Sequence, residues 1–235
     1  MVFVLISCCV GNLKISAFAE KIGEVEIDAD SLSTNFVTSE SKLEGNVILR
    51  HQGMILRCGL AEIFPASETN QEPRYILREQ LALAQDTQLY SLSAQAGEAI
   101  YLPTQDELTL QKNVNFQYKQ AEQLFTIESE NLQVNLNNGA VENLVSTGAP
   151  SKFTQTFGSK TVVIEAASID WFAATQVAIL KEASLDDGAT TFSASEIEYN
   201  TATGAISAQG RGENRPKYRF NSDVTDKQED KKNDT

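Results

Sequence analysis

The chain holds one histidine, His51, and three cysteines, Cys8, Cys9 and Cys58, among its 235 residues. A single imidazole excludes a multi-histidine metal site. Any Ser-His relay would depend on His51 alone, which the surrounding pattern puts at the end of a hairpin, where a solvated loop histidine is the simpler reading. Carboxylates are abundant, and two of them about 5 to 9 Å apart would suffice for glycoside cleavage. The densest series, Glu24, Glu26, Asp28 and Asp30, instead alternates with Val25, Ile27 and Ala29. That period of two belongs to the solvent face of a strand. No phosphate-binding or dinucleotide fingerprint occurs, and Gly210-Arg211-Gly212 is too short to serve as one. No catalytic residue, metal ligand or cofactor is therefore assigned.

What recurs is a strand unit. A small residue precedes an alternating apolar run at Ala29, Cys58, Ala94, Ser129, Ala166 and Ala194, at intervals of 28 to 37 residues. Each interval accommodates one strand-turn-strand unit, and such units need neighbours to close a core. Downstream, Ile127, Ser129, Leu132, Val134 and Leu136 are matched by Ile164, Ala166, Ile169, Trp171 and Ala173, and again by Phe192, Ala194, Ile197 and Tyr199. Each run puts its apolar groups on one face of a pleated strand. Leu43 to Leu49 and Met54 to Phe64 read as a hairpin through Gly53, followed by a polar break from Pro65 to Pro73. Further reversals are expected at Pro103 to Glu107, Asn137-Asn138-Gly139, Asp186-Asp187-Gly188 and Thr201 to Gly204. The segment from Leu77 to Ala84 has weak helical periodicity and stays undecided. Small residues facing large ones can either interdigitate or leave a trough, and the pattern leaves both open.

The composition bounds the class. With 41% hydrophobic and 22% charged residues, the chain suits one sizeable β-domain. Val2 to Val10, ending at Ala17-Phe18-Ala19, reads as the apolar core and cleavage site of an export signal over residues 1–19, so the mature chain is expected to be exported. Leu5-Ile6-Ser7-Cys8 also resembles a lipoprotein box. Cys58 is then left without an intramolecular partner and reads as a small buried hydrophobe. A net charge of -13 argues against nucleic acid. The polar run over residues 221–235 reads as a disordered tail.

Gly148-Ala149-Pro150-Ser151-Lys152-Phe153-Thr154-Gln155, then Ile164-Glu165-Ala166 and Trp171, Phe192 to Tyr199, Leu43 to Val47, and Val25 to Asp30 together resemble the LptA/OstA-like lipopolysaccharide-transport proteins, across residues 20–220. The resemblance implies an all-β fold: an open, twisted β-jellyroll of repeated antiparallel units that stack end to end across the periplasm and carry acyl chains in an apolar groove. Carried over, the groove residues are Val25, Ile27, Phe153 after a Gly-x-Pro turn, and Trp171, with Tyr199 added from alternation. The chain departs from that pattern in length, with an extra unit around Tyr75 to Leu110. Free sheet edges can add a partner's strand. This places an LptC-like inner-membrane partner at Val25, Ile27 and Ala29, and an LptD-like outer-membrane partner at Lys217, Tyr218 and Phe220, with end-to-end self-association as a further use of the same edges. The basic cluster Arg211, Arg215, Lys217 and Arg219 suits lipid phosphates or the protection of an exposed edge. Alternatives are a membrane-anchored LptC-like component, a fragment of a larger outer-membrane assembly protein, and a polysaccharide-active β-solenoid enzyme.

Overall fold

A computed structural model describes residues 25–67, 72–157, 160–186, 190–210 and 215–220. The expected export signal, the tail, Arg211 and the turn at Asp187-Gly188 lie outside these residues, as does the side chain of Phe220. Every regular element described is a strand. They are β1 (Glu26–Asp28), β2 (Ser31–Thr34), β3 (Ser41–His51), β4 (Met54–Phe64), β5 (Arg74–Asp86), β6 (Ser91–Leu102), β7 (Glu107–Gln120), β8 (Gln123–Asn137), β9 (Ala140–Phe157), β10 (Lys160–Phe172), β11 (Val177–Asp186), β12 (Thr190–Asn200), β13 (Ile206–Gln209) and β14 (Lys217–Phe220). The segment left undecided, Leu77 to Ala84, falls inside strand β5. Its burial alternates on either side of an exposed pair, Glu79 and Gln80, and that interruption is what mimics a longer period.

All strands belong to one antiparallel meander in the order β1-β3-β4 and so on through β13. At about 4.8 Å per strand, the path extends about 50 Å. The expected hairpins at Gly53, Asn138-Gly139 and Thr201 to Gly204 are present.

Each long strand is divided in two. Every pairing from β3–β4 through β9–β10 carries a register shift near its middle, for example between Gln111 and Val114 on β7 and between Glu128 and Asn131 on β8. Left-handed backbone marks the same line on β3, β5, β7, β9 and β11, at Asn46, Glu79, Gln80, Lys112, Asn113, Gly148 and Glu182. Bulges bend strands and increase their twist, so the sheet folds along this crease into two arms. The upper arm ends at turns such as Gln52-Gly53 and Ala121-Glu122, the lower arm at turns such as Asn138-Gly139. At the edges the crease separates whole strands. β1 pairs the upper part of β3 and β2 its lower part; β14 pairs the upper part of β12 and β13 its lower part.

The recurring small residues Cys58, Ala94, Ser129, Ala166 and Ala194 all sit at or beside the crease and are buried. There the two inner faces converge, as the 2.7 Å hydrogen bond from Ser146 Oγ to Ser151 Oγ shows. Gly148-Ala149-Pro150, expected to be a turn, is instead the crease within β9. Its glycine has φ of +99°, and a Cβ there would lie 2.8 Å from the Cβ of Glu130. Both facts require glycine.

Candidate functional site

Burial places the inward residues between the two arms. Phe153, Trp171 and Tyr199 are at most 1% exposed, and Val25 is 4% exposed. Ile27 and Ala29 are partly buried against the same core. An accessibility this low leaves no water-sized space beside the three aromatic groups, so in the closed arrangement they are packed among neighbouring rings and do not line an open trough.

The contacts between arms are staggered along the sheet. Upper-arm residues meet lower-arm residues further along, three strands on in most ring contacts and two for Phe125 with Trp171. His51 on β3 touches Tyr101 on β6. The ring of Tyr118 on β7 lies 4.9 Å from that of Trp171 on β10, and Phe153 on β9 lies 5.6 Å from Tyr199 on β12. Phe125 bridges the series, 5.0 Å from Trp171 and 5.2 Å from Phe153. Offset and tilted rings in such a chain gain attraction beyond the area they bury.

His51 requires a correction. It is 5% exposed and bonded through Nδ1 to the Tyr101 hydroxyl, not solvated in a loop, because the tip of its hairpin folds down onto the lower arm. The stagger that buries it is a property of the sheet twist and has no local sequence signature.

Opposite the crease, the free margins of the two arms are joined along a seam of uncharged hydrogen bonds. At one station Gln85 Nε2 donates to the Gly139 carbonyl, and the Val141 amide donates to Tyr90 Oη over 3.3 Å. At the other, Gln176 Nε2 donates to Gln120 Oε1 over 2.8 Å, Gln123 Nε2 to the Ala202 carbonyl over 3.1 Å, and Gln155 Nε2 to the Thr201 carbonyl over 2.7 Å. Trp171 Nε1 donates to Thr201 Oγ1 over 3.2 Å just behind this station. Sequence reasoning missed these glutamines. Each pairs across a separation of 46 to 79 residues, and nothing in its neighbourhood marks it as a bridge.

The crease is electrostatically different. Arg78 bonds both Glu62 and Glu98, and Lys112 Nζ lies 2.8 Å from Glu98. Lys112, and then Arg78, hold the Glu98 carboxyl below its ordinary value against the opposing effect of burial. In the interior, burial pushes the phenols of Tyr118 and Tyr199 up to about 12 and the thiol of Cys58 up to about 11. Cys58 is thus a buried, protonated thiol, its Sγ 3.2 Å from the Leu60 carbonyl. No group of three or more His, Cys, Asp or Glu side chains among the described residues is placed to hold a metal ion.

Among the described residues the two ends of the sheet are unpaired edges: β1 and β2 pair β3 and no other described strand, and β13 and β14 likewise pair β12. By the three-strand stagger, the lower arm of β2–β4 and the upper arm of β11, β12 and β14 have no opposite strand among the described residues. Apolar groups surface there on the core side. Leu32, in register with buried Leu43, is 49% exposed, and Tyr218, in register with Phe192, is 54% exposed. The glutamate and aspartates of the first edge, Glu26, Asp28 and Asp30, face solvent, with Asp28 paired to Arg50. Arg215, Lys217 and Arg219 are exposed at the other edge.

Comparison with known proteins places this arrangement. The family described as LptA/(LptD N-terminal domain) LPS transport protein matches twice, over residues 26–126 and 123–205. The first match spans the segment from Tyr75 to Leu110, so that segment belongs to the family pattern, and the chain's length comes from a second copy of it. The boundary between copies falls at the β7–β8 hairpin, where pairing continues through twelve registered residues from Glu107↔Asn135 to Gln120↔Gln123. Among solved structures, LptH of Pseudomonas aeruginosa, titled the LptA homologous periplasmic component of the lipopolysaccharide transport device, is 16% identical with a TM-score of 0.49, over 55% of this chain and 94% of that one. No curated protein matches.

Proposed function

Because the chain belongs to the LptA/LptD N-terminal family of lipopolysaccharide transport proteins, we propose that it is a periplasmic bridge component that holds lipopolysaccharide acyl chains between its two arms and passes them along the sheet. One observation carries this reading: a continuous apolar interior, from Val25 to Tyr199, runs the length of a single sheet whose two ends are unpaired among the described residues. Each acyl methylene kept from water is worth about 0.8 kcal/mol, so a chain of a dozen carbons costs about 10 kcal/mol to expose. A multi-chain lipid therefore needs a dry track without gaps, and two family units fused through β7–β8 supply one without a joint.

Val25, Ile27, Phe153, Trp171 and Tyr199 are the residues proposed to contact the chains once the arms part. The free edges are the proposed docking points: Val25, Ile27 and Ala29 for an LptC-like inner-membrane partner, and Lys217, Tyr218 and Phe220 for an LptD-like outer-membrane partner. End-to-end association of copies would use the same edges. Edge pairing supplies backbone hydrogen bonds. The stagger adds a lap joint, in which an incoming upper arm covers Leu32 and an incoming lower arm covers Tyr218.

Trp171 is the chain's only tryptophan, which gives a direct test. A lipid A analogue with brominated acyl chains is expected to quench its emission by more than half at saturation, with the unbrominated analogue inert. Unchanged emission from a complex that co-elutes with the lipid would remove the interior as the binding site.

A further inference from the structure

We infer that the seam is a lateral gate: acyl chains enter from the side, by separation of the arms at the station formed by Gln120, Gln123, Gln155, Gln176 and Thr201, with the crease as the hinge. This inference rests on the acyl-binding reading above and adds the route of entry.

The closed interior has no space for a chain beside Phe153, Trp171 or Tyr199, so loading requires the arms to separate somewhere. At the crease they are joined by the chain itself in every long strand. Its left-handed residues and its Arg78–Glu98–Lys112 ion pairs fix the bend. Along the seam the polar links between the arms are uncharged hydrogen bonds, each worth about 0.5 to 1.5 kcal/mol net, and the apolar ring contacts behind them are of a kind that an entering acyl chain can take over. Water replaces such bonds readily, because every donor and acceptor in them is satisfied again when hydrated.

A second observation selects this station over the one at Gln85 and Gly139. Behind it lie two buried polar atoms with no partner among the described residues, Gln155 Oε1 and Tyr199 Oη. An unpaired buried acceptor and donor each cost about 1 to 3 kcal/mol, and separation of the arms returns both to water. Both atoms lie where the aromatic series Tyr118, Phe125, Phe153, Trp171 and Tyr199 is directly inside, and the other two such atoms, Arg74 Nε and Asp106 Oδ1, belong to neither station's hydrogen bonds. The Gln85 station has Tyr90 Oη available to Gln85 Oε1 over 3.1 Å, so its amide is satisfied at both ends.

The test seals the seam in the full-length chain. Gln120→Cys with Gln176→Cys is bridged by a reducible bis-methanethiosulfonate reagent, a span better matched to facing glutamines than a direct disulfide. Cys8 and Cys9 are replaced by serine, and Cys58 is a buried thiol with its pKa pushed up to about 11. Quenching of Trp171 by the brominated lipid A analogue is then followed in time. The sealed chain is expected to load at least tenfold more slowly than the same variant unbridged, with the rate restored by reductant. Gln123→Cys with Ala202→Cys repeats the seal at a second position, and circular dichroism verifies that each bridged chain keeps its sheet. Equal loading rates for sealed and open chains, with quenching intact in both, overturn the gate while leaving the interior site standing. Absence of quenching in the unbridged chain overturns the acyl-binding reading and the gate with it.

Discussion

The crease and the seam run parallel along the same two arms, yet they are built from opposite materials. The crease has left-handed backbone at non-glycine residues such as Glu79, Gln80, Lys112 and Asn113, together with ion pairs that cross strands. A left-handed conformation costs an ordinary residue of the order of 1 kcal/mol or more, and repetition on alternate strands means that the surrounding sheet holds it in place. The seam has ordinary turns and neutral amides. In a chain with 22% charged residues, no ion pair among those described crosses it. The difference teaches that the bend is a permanent feature of the fold, whereas its mouth is closed by exchangeable hydrogen bonds over apolar contacts that a lipid chain can replace.

The sharpest way to break this comparison is at Gly148. Gly148→Val puts a β-branched side chain at φ of +99° and its Cβ 2.8 Å from that of Glu130. A loss of about 2 to 4 kcal/mol is expected in urea denaturation. An equal loss from a seam variant would erase the distinction.

Glu98 probes the charges of the crease. Its carboxyl is held below the ordinary value, first by Lys112. Its stabilisation is therefore present above the carboxylate value of the unfolded chain and is lost as pH falls through the lower folded value. Glu98→Gln should cost about 1 kcal/mol at neutral pH and flatten the acid limb of the stability curve, as followed by thermal melts. An unaltered acid limb would show the network to be incidental.

At the seam, Gln120→Ala combined with Gln176→Ala should cost no more than about 1 kcal/mol while accelerating exchange of the Thr201 amide, which donates to the Gln176 carbonyl over 2.8 Å. Smallest in size and opposite in sign is Tyr199→Phe. Its hydroxyl has no partner among the described residues, so its removal should be neutral or stabilising by up to about 1 kcal/mol. The phenol is raised to about 12. The stabilisation from keeping it neutral is full below the unfolded tyrosine value and is lost as pH rises toward 12, so the variant should also resist alkali better.

Much of the fold was legible because strands announce themselves by period two. The hairpin through Gly53 and the inward set Phe153, Trp171 and Tyr199 follow from alternation and from turn residues alone. The recurring small residues Cys58, Ala94, Ser129, Ala166 and Ala194 marked the crease, although what they marked became clear only with the register shifts beside them. The bend itself was not legible. Glu79 and Lys112 are common surface residues that adopt left-handed backbone here because both neighbouring strands require it. Nor was the seam, since Gln155 reaches Thr201 through the three-strand stagger, which comes from the twist of the whole sheet. The same cause buries His51. The extra length was assigned to a unit around Tyr75 to Leu110, which lies within the first family match, because the β7–β8 hairpin joins the two matched segments without marking where the second begins.

The central claim is that the arms hinge at the crease and part at the seam to take in acyl chains. Nitroxide labels at Gln123 and Ala202, opposite one another across the seam, report on the mouth by electron resonance, with a control pair at Glu128 and Lys152, register partners on the upper arm beside the crease. On addition of lipopolysaccharide the first distance is expected to lengthen by about the width of an acyl chain, while the second stays fixed. A bound lipid that leaves the Gln123–Ala202 distance unchanged, or that widens the crease pair instead, would contradict the account.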